Sequence, residues 1–121
     1  MSKRGRQQGE LENLVMEALW DSKGPLTSQE ILDTVNSEGG DLALTTILTV
    51  LSRLVEKEMV TRENGSGRSL NFSAAETRER HSANLMLKLL SGTNNPALTF
   101  AQFTESLTPK QLAALRETLE K

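Results

Sequence analysis

Hydrophobic residues recur at helical spacing in consecutive segments of the first half of the chain. The first segment, "ELENLVMEALWDSKG", predicts a helix that stops at a Gly-Pro pair. Its apolar face consists of Leu11, Leu14, Val15, Ala18 and Leu19. The second segment opens with "TSQE" at residues 27–30, a capping box that predicts the start of a second helix. The inward-facing residues of this helix are Ile31, Leu32 and Val35. Because short Gly-containing turns join these segments, the pattern is typical of a helix-turn-helix.

The third segment, "LTTILTVLSRLVEK" at residues 44–57, predicts a helix with an unusual polar side. At about 100° per residue, one side collects Ile47, Leu48, Leu51, Leu54 and Val55. An arc of about 120° on the other side collects Thr45, Thr46, Thr49, Ser52 and Arg53. No acidic residue occurs from Leu42 through Val55. Such a face suits close approach to phosphates or base edges. The alternative is a partly buried helix with small polar residues at its margin.

The period changes after the third helix. "MVTRENGSGRSLNF" has two short segments on either side of Asn64-Gly65-Ser66-Gly67, which predicts a β-hairpin. Arg62 and Arg68 fall near its tip, where they either contact an anionic partner or are simply solvated.

The remaining sequence again indicates helices. "SAAE" at residues 73–76 resembles a second capping box, "NNPALTFAQFTESL" predicts a helix with Pro96 at its first position, and "TPKQLAALRETLEK" predicts another. Three short helices cannot bury their apolar faces alone. We therefore expect them to pack on the first part of the chain or on a second copy, the latter giving a symmetric dimer.

Composition limits the possible functions. The net charge of −2 and pI near 5.5 argue mildly against nucleic-acid binding, so a binder of this kind would depend on a small local patch. The basic residues available for it are Lys3, Arg4, Arg6, Arg53, Arg62 and Arg68.

Several other classes are disfavoured. With no cysteine and one histidine, the chain cannot form a thiolate or multi-histidine metal site, and we expect no cofactor. No catalytic constellation is recognisable, so we expect no enzyme. The apolar runs are short and the start of the chain is polar, so we expect a cytoplasmic protein with no membrane contact.

Three helices followed by a hairpin form the order of a winged helix-turn-helix. The segments "ALWDSKGPLTSQEIL", "LALTTILTVLSRLVEKEMVTRENGSGRSLNF" and "LTPKQLAALRETLEK" resemble the penicillinase-repressor family of the BlaI, MecI and CopY type, over nearly the whole chain. The resemblance implies a dimeric repressor that binds a palindromic operator in double-stranded DNA and controls antibiotic-resistance or related stress genes. The expected fold is mostly α with a small β-hairpin: a winged-helix DNA-binding domain at 1–74 and a helical dimerisation domain at 75–121.

The resemblance also assigns residues. The recognition-helix and wing positions, together with the neighbouring serine of the same face, are Thr45, Thr46, Thr49, Ser52, Arg53, Arg62 and Arg68. The residues expected at the dimer interface are Leu85, Met86, Leu89, Leu98, Phe100, Phe103, Leu112, Leu115 and Leu119.

Two departures from the family bear on induction. The copper-responsive branch uses cysteines near its C-terminus, and this chain has none. The penicillinase branch is inactivated by cleavage at an Asn-Phe bond, whereas the corresponding region here contains Thr99-Phe100 and Gln102-Phe103. The position of these phenylalanines thus favours an inducing protease as a partner, but the Asn-Phe cleavage motif of the penicillinase branch is missing. The competing hypothesis is a winged helix that binds another protein, and not DNA, through its threonine face.

Overall fold

The computed structural model describes residues 8–37, 39–65, 67 and 69–121. Six helices and two strands follow in the order α1 (Gln8–Asp21), α2 (Ser28–Val35), α3 (Leu44–Glu56), β1 (Val60–Asn64), β2 (Leu70–Ala74), α4 (Arg78–Ser91), α5 (Pro96–Glu105) and α6 (Pro109–Leu119). The chain divides into two compact units, the first ending at Arg80 and the second comprising residues 81–121.

The first unit is a winged helix, which confirms the predicted fold. Strands β1 and β2 pair antiparallel, with Arg62 opposite Phe72. A bridge that the sequence did not predict joins this hairpin to Leu26, the residue before the N-cap of α2. The Leu26 amide donates to the Phe72 carbonyl at 3.0 Å, and the Phe72 amide donates back at 2.8 Å. The wing is therefore held against the helices by backbone hydrogen bonds as well as by packing.

The buried core of this unit comes from α1, α2, α3 and both strands. Its members are Val15, Met16, Ala18, Leu19, Ile31, Ile47, Val50, Leu51, Leu54, Val60 and Phe72. One part of the α3 prediction is wrong: Val50 is buried, whereas Leu48 is 42% exposed. The buried α3 residues centre close to Ile47, and Leu48 lies about 110° round the helix from that centre. Leu48 is therefore at the edge of the apolar face.

Three of the predicted helix starts are confirmed. Thr27 and Glu30 form a capping box on α2, as do Thr108 and Gln111 on α6. Pro96 opens α5 behind the N-cap Asn95.

The predicted capping box at residues 73–76 is wrong. Ser73 lies in β2 opposite Thr61, and α4 starts only at Arg78. The Thr77 hydroxyl accepts the Arg80 amide hydrogen at 3.0 Å in its place. Continued pairing of β2 with β1 uses the backbone of Ser73 for the sheet, so the helix begins one turn later.

The second unit contains most of α4 together with α5 and α6. The structure describes all of residues 81–121, and none of them is buried. Eight large hydrophobic side chains in this unit are exposed, among them Leu89 at 78% and Leu119 at 74%. Among the described residues, no helix is long and apolar enough to cross a membrane.

Candidate nucleic-acid interface

The side chain of Asn36 closes the turn between α2 and α3. Its amide nitrogen donates to the Leu42 carbonyl at 3.1 Å, and its amide oxygen accepts the Leu42 backbone hydrogen at 3.0 Å. Gly40 leaves room for this arrangement, since a Cβ at that position would lie 2.9 Å from the Asn36 oxygen. The backbone just ahead of α3 is thus fixed by a partly buried pair of hydrogen bonds, which positions the start of the helix.

The N-terminus of α3 has no side-chain cap. Ala43 occupies the N-cap position with φ −88° and ψ 154°, and the first turn contains no acidic residue. Capping side chains do occupy this position in α2, α5 and α6. The Thr46 amide donates to the Ala43 carbonyl at 3.1 Å, so the Leu44 and Thr45 amides and the positive end of the helix dipole are available to an anion such as a phosphate.

The polar face of α3 is accessible along its length. Thr45, Thr49 and Ser52 are exposed, whereas Thr46 and Arg53 are half-buried at its edge. The structure thus brings the five predicted residues of α3 to one side of a single helix.

The hydroxyl of Thr49 has a defined hydrogen-bonding role within α3. It donates to the Thr45 carbonyl at 3.0 Å, the back-bond that threonine commonly forms inside a helix. Because its hydrogen is used there, Thr49 can offer a ligand only an acceptor oxygen and a methyl group. A base amino group or a thymine methyl group fits this chemistry.

Two arginines supply positive charge at the predicted positions. Arg53 lies in the last turn of α3, and the exposed Arg62 lies on β1. Neither forms an ion pair with another of the described residues, unlike Lys57, whose Nζ lies 2.9 Å from Glu12 Oε1. Arg53 and Arg62 are therefore available to bind phosphates. The other predicted cations, Lys3, Arg4, Arg6 and Arg68, lie outside the described residues.

The second unit carries an apolar groove between α4 and α5. Its volume is about 610 Å³, and it is lined by Ala83, Met86, Leu87, Leu89, Leu90, Thr99, Phe100 and Phe103. Of the nine residues predicted at a dimer interface, Leu112 and Leu115 are half-buried within this unit. The other seven are exposed: Leu85, Met86, Leu89, Leu98, Phe100, Phe103 and Leu119.

Comparison with known proteins decides the family. The family described as penicillinase repressor matches residues 8–121. The transcriptional regulator BlaI of Mycobacterium tuberculosis, from two strains, is 32% identical over 116 residues, which cover 92% of this chain and 81% of that protein. The chain belongs to the penicillinase repressor family. The resemblance identified from the sequence segments is thereby confirmed, and the family match includes both compact units.

Solved structures show a more distant likeness. The zinc-responsive MarR family member ZitR of Lactococcus lactis matches with a TM-score of 0.43 at 14% identity, covering 98% of this chain and 76% of that chain. Wild-type ZitR in complex with DNA matches with a TM-score of 0.41 at 15% identity, covering 98% and 74%. These values are too low to add to the family assignment.

Sequence reasoning missed the two residues that position α3, Asn36 and Gly40. A signal for them was present, since an Asn directly after the last apolar position of a helix and a Gly pair shortly beyond it favour a turn in which the Asn side chain bonds nearby backbone. The partner of Asn36, the backbone of Leu42, could not be inferred from that signal. The contact depends on how the turn folds back on itself.

Proposed function

We propose that this member of the penicillinase repressor family is a dimeric transcriptional repressor that binds a palindromic operator in double-stranded DNA. The observation that carries the proposal is the face of α3: it bears hydroxyl groups, has no acidic residue before Glu56 in the last turn, and follows a helix N-terminus with no side-chain cap. In a winged helix this element is the one that enters the major groove. A helix whose polar face served only for solvation would carry the usual glutamates and lysines.

The proposed contacts divide into two kinds. Thr45, Thr46, Thr49 and Ser52 reach base edges, where short hydroxyl side chains accept or donate single hydrogen bonds. Phosphate contacts come from three arginines of α3 and the wing, Arg53, Arg62 and Arg68. Because the net charge of the chain is −2, binding depends on the orientation of this small patch and not on bulk attraction.

The second unit supports the dimer. With no buried residue among 81–121, it has no core of its own. Exposed leucines, phenylalanines and a methionine on this scale are unusual for a monomer and typical of an interface. A second copy, related by a twofold axis, would cover the same side chains on both partners. We assign this role to the helical region at 75–121 and the DNA-binding role to 1–74.

The family assignment supports control of antibiotic-resistance or related stress genes, with the protein working in the cytoplasm where its operator lies. No cofactor enters this proposal, and no catalytic residue is assigned.

We further propose that proteolysis in α5 releases the repressor, because loss of α6 would remove part of the dimer interface. Phe100 and Phe103 are exposed and offer aromatic side chains to an inducing protease. Both lie inside a helix, and the Phe100 carbonyl accepts the Thr104 hydroxyl at 3.0 Å. Cleavage there requires α5 to unwind locally. Mass spectrometry of the protein from induced cells should therefore find an N-terminal fragment ending near residue 100 or 103, and an intact chain that has left its operator would contradict this route.

A binding selection tests the main proposal. Duplexes retained by the full-length protein from a random pool should converge on a palindrome, bound at least about 10³-fold more tightly than a scrambled duplex at physiological salt. Equal affinity for all duplexes, or none, would favour the alternative in which the threonine face binds another protein.

A pair of charge substitutions tests the dimer. Leu89→Glu places a carboxylate in the apolar groove, so sedimentation should show a monomer, and operator affinity should fall by about 10²–10⁴-fold. Ser91→Glu adds the same charge about 200° round α4 and should leave the dimer intact. A Leu89→Glu variant that remained dimeric would contradict the assigned interface.

A further inference from the structure

Leu48 lies beside the polar face of α3 and not in the core. It is three residues after Thr45 and four before Ser52, and side chains at these spacings are neighbours on a helix surface. Both of those neighbours are exposed, and Leu48 itself is 42% exposed. The face proposed to read DNA therefore includes an isobutyl group at its edge.

Exposed large hydrophobic side chains are rare in the first unit. Among its described residues only two are found: Leu48 on α3 and Leu70, 40% exposed, on β2. Both belong to the recognition helix and the wing. A single exposed leucine needs no explanation. However, if apolar side chains contribute to DNA binding, the exposed ones should be confined to the recognition helix and the wing, as these two are.

We propose that Leu48 reads the C5-methyl group of a thymine in the operator. This inference rests on the proposed function and deepens it by naming a base. In the major groove the thymine methyl is the apolar feature that an isobutyl group can contact. The hydroxyl hydrogen of Thr49 is used on the Thr45 carbonyl. Leu48 thus adds an isobutyl group at the edge of a face that elsewhere offers threonine methyl groups and the acceptor oxygen of Thr49, and it selects a thymine methyl over the bare edge of cytosine.

Deoxyuridine provides a direct test, because it pairs like thymidine but lacks the methyl group. In the operator obtained by selection, each thymine is replaced singly by deoxyuridine, symmetrically in both half-sites, and affinity is measured with the full-length protein. Wild type should lose about fourfold per half-site at one position, the change expected for one buried methyl group. Leu48→Ala should bind the unmodified operator more weakly and lose this sensitivity to deoxyuridine.

Leu70→Ala is the matched control, since it removes an equally exposed leucine from the wing. Whether or not it lowers the overall affinity for the operator, Leu70→Ala should keep the full sensitivity to deoxyuridine at the position that Leu48→Ala loses. Circular dichroism should show all variants folded, because neither leucine belongs to the core.

Each outcome is decisive. If wild type and Leu48→Ala lose the same affinity on removal of the methyl group, or if wild type is insensitive at every thymine, the assignment of Leu48 is wrong while the repressor proposal stands. If the protein selects no duplex at all, the proposed function itself is contradicted, and the assignment of Leu48 with it.

Discussion

The guanidinium of Arg78 lies over the ring of Trp20, with its central carbon 5.3 Å from the ring centroid. The same guanidinium donates to Glu17 and, at 3.0 Å, to Asp21, while Trp20 Nε1 donates to the Glu76 carbonyl at 2.9 Å. Arg78, the first residue of α4, is therefore attached to α1 by stacking and charge, and the backbone just before α4 is attached by the Trp20 hydrogen bond. The hydrogen bonds to Glu17, and then to Asp21, raise the pKa of Arg78.

Replacing Arg78 by glutamine should lower the melting temperature of the full-length protein at low salt. Lys57→Gln is the control, since it removes a different ion pair of the same unit, between the exposed Lys57 and the half-buried Glu12, without loss of stacking. We expect the melting temperature to fall further for Arg78→Gln than for Lys57→Gln. High salt should reduce this fall but not abolish it, because salt screens the ion pairs more than the stacking.

The pH dependence of this contribution follows from the sign of the shift. Because the pKa of Arg78 is raised in the folded state, its interactions stabilise the fold fully at any pH below the pKa that it has in the unfolded chain. This stabilisation is lost only as the pH rises through the higher pKa of the folded state. The difference between wild type and Arg78→Gln should thus remain constant from neutral to moderately alkaline pH. A difference that vanished between pH 7 and 9 would contradict the assignment.

Removing the Asn36 amide should loosen the start of α3. Asn36→Ala breaks two partly buried hydrogen bonds to Leu42, and we expect a loss of about 1–3 kcal/mol in the free energy of unfolding. Asn36→Asp keeps the acceptor for the Leu42 amide but faces its carbonyl with a second oxygen, so it should be destabilising as well. Denaturant unfolding measures both, and hydrogen exchange of the first turn of α3 should accelerate before that of α1. Unchanged exchange would show that the turn is held by packing alone.

The uncapped N-terminus of α3 predicts a conflict between stability and DNA binding. Ala43 already has extended backbone angles suited to an N-cap. Ala43→Ser and Ala43→Asp should each stabilise the free protein by about 1 kcal/mol. Only the aspartate places a negative charge where a DNA phosphate would bind, so only Ala43→Asp should weaken operator binding markedly. Equal binding by both variants would argue against a phosphate at this helix end.

Glu58 marks a strained position directly after α3. Its φ of 64° lies in the left-handed region, and the adjacent Met59 amide donates back to the Leu54 carbonyl at 2.9 Å. Glu58→Gly should relieve the strain and stabilise the protein by roughly 0.5–1 kcal/mol after the greater flexibility of glycine is subtracted. Glu56→Gly makes the same chemical change in the last residue of the helix and should destabilise by about 1 kcal/mol. Denaturant midpoints of the two variants should shift in opposite directions.

Base-reading and phosphate-binding residues should respond differently to mutation. Thr49→Val removes the hydroxyl oxygen that could accept from a base and should change the preference at one operator position by about 1–3 kcal/mol. Arg62→Gln should weaken binding to selected and scrambled duplexes alike and reduce the salt slope by about 0.9 for the lost phosphate contact. Anisotropy titrations at several salt concentrations separate the two cases, and a uniform loss for Thr49→Val would remove its base-reading role.

The amino-acid sequence by itself determined the elements that depend on local interactions. The apolar period predicted α1 to α3 because each helix exposes one face to a shared core. Thr27, Asn95 and Thr108 lie at helix starts because the side chain of each accepts from an amide three residues further on. The hairpin followed from its Gly-rich tip and flanking strand residues. These signals also carried the family resemblance, and with it the candidate DNA-binding face.

The tertiary structure alone decided which side of each element faces what. Val50 and not Leu48 completes the core, because the centre of the buried arc on α3 is set by where α1 and α2 pack. Ser73 stays in β2 because pairing across the hairpin uses its backbone. The hydrogen bonds from the Asn36 side chain to the Leu42 backbone, and the backbone bridge from Leu26 to Phe72, join groups that no periodic pattern relates. Such contacts arise where chain segments meet in space. The Asn36 hydrogen bonds before α3 and the exposure of Leu48 on α3 were therefore visible only in the folded chain.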